Sequence, residues 1–157
     1  MSLSEIMSTR VVSVHLDDSI QSLRELFDAT GFHHLLVVQN NRVEGIISDR
    51  DLLKNISPFV DTISEKQRDR ATLDRRAHQI MTREVITLSP QHKIVDAIHL
   101  FNNHKISCIP VVNAEKQPVG MVSWRDVMAF MEQRVQANKA SHTAVRHSSF
   151  RPFGNLP

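Results

Sequence analysis

Ser48-Asp49-Arg50-Asp51 is followed, 75 residues later, by Ser123-Trp124-Arg125-Asp126. In both places a glycine (Gly45 or Gly120) and two apolar residues precede the serine. A serine followed three residues later by an acidic residue is typical of a helix start, because the serine side chain accepts a hydrogen bond from an amide of the first turn. The sequence therefore predicts the same strand-to-helix junction twice.

The repeat extends outward from this junction. Ile6-Met7-Ser8 recurs as Ile80-Met81-Thr82 at an offset of 74 residues, and one inserted residue in a polar turn then raises the offset to 75. Ordered matches with a single gap indicate two copies of one unit of about fifty residues. Further matched pairs are Val11 and Val85, Ile20 and Ile94, Leu26-Phe27 and Leu100-Phe101, and Val37-Val38 and Val111-Val112.

Each copy has the hydrophobic pattern of a β-α-β-β-α unit. A unit this small buries too little surface to be stable alone. We therefore expect an α/β fold in which tandem repeats pack as a pseudo-twofold pair around one shared core. The patterns predict first strands at residues 11–14 and 85–88, helix starts at Asp17-Asp18-Ser19 and Ser89-Pro90, hairpin turns at residues 39–45 and 113–120, and second helices from Ser48 and Ser123.

This organisation divides the chain into four segments. Repeat 1 covers residues 1–54 and repeat 2 covers residues 80–131, joined by a linker at residues 55–79 whose mixed charges indicate a solvated connector with a short helix. Residues 132–157 are expected to extend the last helix and then, from Ser141, to form an irregular basic tail. Residues 1–131 carry a net charge of −1 and residues 132–157 carry +3. Four dispersed cations in the tail argue against nucleic acid binding.

Composition excludes several classes of protein. Of the 157 residues 41% are hydrophobic and 5% aromatic, so the core is expected to be aliphatic. The single cysteine, Cys108, allows no internal disulfide and is expected to be buried and inert. Because the chain has neither an apolar run of ~20 residues nor a signal-peptide pattern, we expect a cytoplasmic protein that does not contact membranes. The lack of a catalytic motif or phosphate loop argues against an enzyme.

The repeated residues resemble a known family. The Ile-Met-Ser/Thr opening, the segment Ile106-Ser107-Cys108-Ile109-Pro110-Val111-Val112 and the two Gly-x-x-Ser-x-x-Asp junctions are similar to those of CBS (cystathionine beta-synthase) domains. The whole chain resembles a free-standing, bacterial-type CBS pair. The resemblance implies a regulatory module that binds AMP, ADP, ATP or S-adenosylmethionine between the repeats, with no catalysis of its own and no obligatory cofactor. It also implies a homodimer that acts on an unidentified protein.

Two interpretations of the Ser-x-x-Asp pairs are open. Ser48 with Asp51, and Ser123 with Asp126, can simply cap their helices. Alternatively, the carboxylate can accept both hydroxyls of a ribose while the serine and the helix N-terminus donate to phosphate oxygens. The resemblance assigns ribose binding to Asp51 and Asp126. On that interpretation, alanine at either position is expected to weaken nucleotide binding about tenfold.

The entrance of the strand after the first helix is the second candidate element. It reads Gly31-Phe32-His33-His34-Leu35-Leu36 in repeat 1 and Lys105-Ile106-Ser107-Cys108-Ile109-Pro110 in repeat 2. In the family this segment begins with Gly, ends with Pro and sandwiches adenine, which places Phe32, Ile106 and Pro110 in the site. Each copy departs from this family pattern once, because repeat 1 has Leu36 in place of Pro and repeat 2 has Lys105 in place of Gly. The two sites are therefore not expected to be equal. Phe32 and Ile106 can also be ordinary core residues.

Positive side chains near these segments would bind phosphate. Arg50 and Arg125 can equally face solvent or an acidic partner. A metal site at His33-His34 is disfavoured, because adjacent strand residues point to opposite faces. The candidates for phosphate are His33, His34, Arg50, Lys105 and Arg125.

Two functions from different classes remain open. Either an adenine nucleotide, AMP or ATP above all, binds in the cleft, or the chain is a ligand-free dimerisation and interaction module that regulates a partner. Ser13 and Thr87 are equivalent on the first strand and either contact the base and ribose or are simply polar strand residues. Trp124 lies inside the second junction, so its fluorescence discriminates between the two functions.

Overall fold

The structure, a computed structural model, describes the backbone of residues 1–148 and the side chains of residues 1–141. It has the α/β fold of tandem repeats that the sequence predicts. Short 3-10 helices at Leu3–Glu5 and Ala71–Asp74 supplement the main elements. The main elements are β1 (Ser13–Val14), α1 (Ile20–Thr30), β2 (His34–Gln39), β3 (Arg42–Ser48), α2 (Asp49–Asn55), α3 (Gln67–Arg70), α4 (Ala77–Ile80), α5 (Ile94–Asn103), β4 (Cys108–Val112), β5 (Pro118–Ser123) and α6 (Trp124–Ser148).

The sheets of the two repeats differ because of one proline. In repeat 1, β1 pairs in parallel with β2, which pairs antiparallel with β3, and the Leu36 amide donates to the Val12 carbonyl over 3.1 Å. In repeat 2, β4 and β5 form an antiparallel pair, but Pro110 stands in the place of Leu36 and has no amide hydrogen to donate. The strand predicted at residues 85–88 therefore does not form, apart from a parallel bridge at Leu88.

The starts of the two first helices also differ. Ser19 caps α1 as predicted, since its side chain accepts a hydrogen bond from an amide of the first turn. The helix start predicted at Ser89-Pro90 is wrong. The amide and the hydroxyl of Ser89 lie 2.9 Å and 2.8 Å from Nδ1 of His92 and close a turn there, so α5 begins only at Ile94.

Both hairpin turns are shorter than predicted. Asn40 and Asn41 form a two-residue turn with φ angles of 49° and 61°, a conformation that asparagine tolerates and that matches the twist of the flanking strands. Strand β3 therefore begins at Arg42, inside the turn predicted at residues 39–45. Strand β5 likewise begins at Pro118.

The opening segment of each repeat packs against the other repeat. Leu3 is completely buried in the core of repeat 2, and Ser8 exchanges two 2.9 Å backbone hydrogen bonds with Met121 of β5. Ala77 is completely buried in the core of repeat 1, and Thr82 pairs in the same way with β3. The buried apolar residues form two clusters, one in each repeat, rather than the single shared core expected. The exchanged segments hold these two cores together.

The linker is more than a solvated connector. Leu73 is only 3% exposed and belongs to the core of repeat 1. Asp69 is 7% exposed and accepts hydrogen bonds from the Ser57 hydroxyl at 2.7 Å and the Lys66 amide at 2.8 Å. The expectation of a purely solvated connector is therefore wrong at these two positions.

Helix α6 continues to Ser148, so the irregular structure predicted from Ser141 onward is wrong for residues 141–148. The irregular tail predicted beyond them lies outside the described residues. Within the described part of the chain, no helix combines the length and the apolar character needed to cross a membrane.

Candidate functional site

A cleft with a volume of about 760 Å³ lies between the two repeats. One wall is the junction of β3 with α2. The facing wall is the segment of residues 82–86, which crosses from β3 of repeat 1 to β4 of repeat 2, together with the entrance of β4. Among the predicted site residues, those lining the cleft are Ser48, Asp51, Ser123, His33, His34, Ile106, Pro110, Arg50 and Arg125.

Four predicted residues lie outside the lining of this cleft. Ser13 lies in β1, and Thr87 directly follows the crossing segment. Asp126 accepts a hydrogen bond from the Ser123 amide in the first turn of α6, and the Phe32 ring lies beneath the guanidinium of Arg10. Their roles in ligand binding stay predictions.

The crossing segment was missed by sequence reasoning. Thr82 closes the repeated opening motif, which was visible, but nothing local in the sequence shows that this motif packs on the opposite repeat. Other cleft residues without a sequence-predicted site role belong to the junctions and to the entrance of β4. The additional lining residues are Ile46, Asp49, Lys54, Thr82, Glu84, Val85, Ile86, Ser107, Cys108 and Trp124, and Lys105, a phosphate candidate, also lines the cleft.

Both Ser-x-x-Asp pairs cap their helices. The Ser48 hydroxyl accepts from the Asp51 amide at 3.1 Å, and Oδ2 of Asp51 accepts from the Ser48 amide at 2.9 Å. The corresponding distances between Ser123 and Asp126 are 3.3 Å and 2.7 Å. The capping interpretation is thus confirmed, but it does not occupy the whole carboxylate. Among the described residues nothing donates to Oδ1 of Asp51, so this oxygen is available at the cleft.

The two histidines have different partners. Nδ1 of His33 lies 2.8 Å from Oδ2 of Asp49, and Nε2 of His34 lies 3.4 Å from the Ser107 hydroxyl of the other repeat. Burial lowers the pKa of His34, which favours its neutral form. Partial burial opposes ionisation of Asp49, but the hydrogen bonds with His33 and with the Arg50 amide, together with the charges of His33 and His34, outweigh it, and the pKa of Asp49 is lowered. Within the described side chains, no group of three or more His, Cys, Asp or Glu is placed to hold a metal ion.

The cations of the cleft are therefore arginines and lysines rather than His34. Arg50, Lys54, Lys105 and Arg125 all line it and are all exposed. Exposed guanidinium and ammonium groups can move to meet a phosphate without a large desolvation cost. The positive side chains thus stand at the solvent side of the cleft.

The deep wall is apolar apart from one backbone group. This wall is lined by Val85, Ile86, Ile106 and Pro110. Pro110 is completely buried. Because Pro110 has no amide hydrogen, the Ile86 carbonyl accepts no hydrogen bond from the described residues. Burial raises the pKa of the nearby Cys108 thiol to about 12, so this cysteine stays protonated and unreactive at neutral pH. The wall offers an apolar surface with one free acceptor.

Comparison with known proteins agrees with this architecture. The family model of the CBS domain matches residues 3–58 and 77–133. The chain is therefore a tandem pair of CBS domains, and it belongs to the CBS-domain family. It is 27% identical over 128 residues to a CBS domain-containing protein of Dictyostelium discoideum, covering 80% of this chain and 88% of that protein. It is 29% identical over 123 residues to the homoserine O-acetyltransferase of Methanosalsum zhilinae, but covers only 22% of that protein.

Two solved structures show the same fold. The CBS domain pair of protein MJ0100, in complex with 5'-methylthioadenosine and S-adenosyl-L-methionine, superposes with a TM-score of 0.70 at 22% identity, covering 85% of this chain and 98% of that one. CBSX2 in complex with AMP gives a TM-score of 0.70 at 23% identity, covering 84% and 96%. At such identities the likeness establishes the fold.

Proposed function

We propose that the chain is a regulatory module that binds an adenosine-containing ligand, AMP, ADP, ATP or S-adenosylmethionine, in the cleft between its repeats. One observation carries the proposal. The available Oδ1 of Asp51, at the N-terminus of α2, lies in the same cleft as an apolar wall with a free carbonyl and a set of exposed cations. These three features match a ribose diol, a base and a phosphate. The adenosyl ligands of MJ0100 and CBSX2 support the same class of ligand.

Each part of the ligand has a proposed partner. Asp51 accepts hydrogen bonds from the ribose hydroxyls, and the neighbouring Ser48 hydroxyl contributes to the same contact. Ile86, Ile106 and Pro110 contact the base. Arg50, Lys105 and Arg125 bind phosphate where the ligand carries one.

Ligand binding would link the two repeats. The proposed ligand contacts Asp51 of repeat 1 and Ile106 of repeat 2 at once. A ligand that binds one relative arrangement of the repeats more tightly shifts the protein toward that arrangement. This shift is the proposed signal to a partner protein.

Trp124 gives a direct test, because it lines the cleft, is 48% exposed and is the only tryptophan. We expect its fluorescence to change with AMP, ATP or S-adenosylmethionine, and the melting temperature to rise with the same ligand. Asp51→Ala is expected to weaken binding about tenfold, because a hydrogen bond to a charged group contributes about 1.5–3 kcal/mol. Flat titrations with all three ligands, together with unchanged melting temperatures, would contradict the proposal.

An exposed helix face favours a second function, homodimerisation. Four apolar side chains on α6 are 45–59% exposed and follow the four-three-four spacing of a helix-packing seam. These residues are Trp124, Met128, Met131 and Val135. Leu53 occupies the position of Met128 in repeat 1 and is 71% exposed on α2. The face of this kind on α6, with Leu53 exposed at the repeat-equivalent position on α2, fits a second copy of the chain, because two identical seams can interlock.

The dimer proposal is tested by light scattering with size-exclusion chromatography. Met128→Glu and Leu53→Glu are expected to shift the protein toward monomer, since each would bury a charge at the interface. Ile63→Glu is the matched control, because Ile63 is fully exposed in the linker and lies on neither helix. A dimer that is equally stable in all three variants would place the interface elsewhere.

A further inference from the structure

The exchange of opening segments creates two repeat-equivalent positions between the repeats. Residues 82–86 cross from β3 to β4 on the Asp51 side. Residues 8–12 make the equivalent crossing from β5 to β2, on the side of Asp126. The sequence predicts that the two positions are unequal but not which of them binds ligand, and the structure shows two differences that bear on this choice.

The first difference concerns a backbone carbonyl. On the Asp126 side the Leu36 amide donates to the Val12 carbonyl over 3.1 Å, so this acceptor is occupied. On the Asp51 side the equivalent carbonyl belongs to Ile86, and Pro110, which stands in the place of Leu36, has no amide hydrogen to donate to it. Of these two carbonyls, only that of Ile86 accepts no hydrogen bond from the described residues, so it offers an amino group on the edge of a base the less occupied acceptor.

The second difference concerns the surface on which a base would stack. The guanidinium carbon of Arg10 lies 5.4 Å from the centroid of the Phe32 ring, which is a cation–π contact. The equivalent residues on the other side are Glu84 and Ile106, and both line the open cleft. Glu84 cannot make such a contact with Ile106. One face of the Phe32 ring is thus in contact with a guanidinium group, while Ile106 lines the cleft.

We propose that each chain binds a single ligand, on the Asp51 side, and that Arg10 and Leu36 close the equivalent position beside Asp126. This inference rests on the proposed function, because it names the side of the cleft that the adenosyl ligand uses. Arg10 and Leu36 act as specificity-determining residues that select one of two related positions. The closed position is expected to open when both contacts are removed.

Equilibrium dialysis with AMP and, in parallel, S-adenosylmethionine counts the ligands bound per chain. For the wild-type protein we expect one. Asp51→Ala is expected to weaken binding of that ligand about tenfold, whereas the matched variant Asp126→Ala leaves the affinity unchanged. In the double variant Arg10→Ala/Leu36→Pro the number is expected to rise toward two, and adding Asp126→Ala should remove the second ligand only.

A complementary variant covers the case in which Leu36→Pro disturbs folding. Glu84→Arg combined with Ile106→Phe transplants the Arg10–Phe32 contact to the Asp51 side and is expected to weaken binding at least tenfold, while circular dichroism confirms the fold. Two ligands per wild-type chain, or an affinity that depends on Asp126 and not on Asp51, would overturn the inference while leaving the proposed function standing. Absence of binding of AMP and S-adenosylmethionine by the wild-type protein, together with a flat ATP titration, would overturn both.

Discussion

Asp51 illustrates how one side chain can have a structural and a functional role. Its Oδ2 caps α2, and its Oδ1 is available to a ligand in the cleft. Asp126 makes the same cap in α6 but stands beside the position that Arg10 and Leu36 are proposed to close. Comparing Asp51 with Asp126 therefore separates the structural role from the binding role. Both residues cap a helix, but only Asp51 is proposed to bind the ligand.

Asp51→Ala and Asp126→Ala are each expected to lower the free energy of unfolding by about 1 kcal/mol, the usual cost of losing a helix-capping contact. Urea denaturation monitored by circular dichroism measures this loss. The two values should be similar. A ligand-free Asp51→Ala variant as stable as the wild type would contradict the cap as a source of stability.

Cys108 provides a second prediction at the level of a single residue. Because burial raises the pKa of its thiol to about 12, the native protein is expected to resist alkylation at pH 8 and to react only after unfolding in urea. The unfolded thiol ionises near pH 8.5, so above that pH the unfolded state gains stability from ionisation and the native state does not. The contribution of Cys108 to stability therefore falls as pH rises from about 8.5 toward 12. Rapid labelling of the folded protein at pH 8 would contradict this.

At the level of elements, the exchanged segments explain why a Met and a Gly recur at matching positions. Met81 of the opening segment packs against Gly45 of β3, and Met7 packs against Gly120 of β5. A side chain at either glycine would overlap the methionine of the other repeat. The glycines therefore keep the strand edge open for the crossing segment.

Gly45→Ala is expected to lower the free energy of unfolding by about 1–3 kcal/mol, because the added methyl group overlaps the Met81 side chain. A double-mutant cycle with Met81→Ala, measured by urea denaturation, isolates this contact. The loss caused by the glycine substitution should shrink when Met81 is already shortened. An identical loss of unfolding free energy with and without Met81→Ala would mean that Gly45→Ala acts through the strand backbone instead of this contact.

At the scale of the whole molecule, the two cores are connected by chain crossings in both directions. Leu3 lies in the core of repeat 2, while Leu73 and Ala77 lie in the core of repeat 1. Neither repeat contains all of its own core residues. The two repeats are therefore expected to unfold together rather than one after the other.

Leu73→Ala tests this coupling. The substitution removes a buried side chain from repeat 1 and is expected to cost about 2–4 kcal/mol. Trp124 lies in repeat 2, yet the unfolding transition seen by its fluorescence should shift as far as that seen by circular dichroism. Ile63→Ala, in the same linker but fully exposed, is the control and should shift neither. A Trp124 transition unmoved by Leu73→Ala would show that the repeats unfold independently.

Much of the fold was predictable because it depends on local physics. The order of elements follows from hydrophobic periodicity, and the caps at Ser19, Ser48 and Ser123 follow from side chains that bind amides three residues away. The failures have equally local causes. The hydrogen bonds from Ser89 to His92 close a turn where a helix start was predicted, and Pro110 withholds the amide that a paired strand at residues 85–88 would need.

The sequence by itself determined the duplication, the class of fold and the side chains at both junctions, because each depends on order and spacing along the chain. Only the tertiary structure decided that the opening segments exchange partners and that Thr82 and Glu84 line the cleft. It alone brings Arg10 onto Phe32. Such contacts join residues that are distant in sequence, and their energies depend on how the two repeats pack rather than on any local pattern.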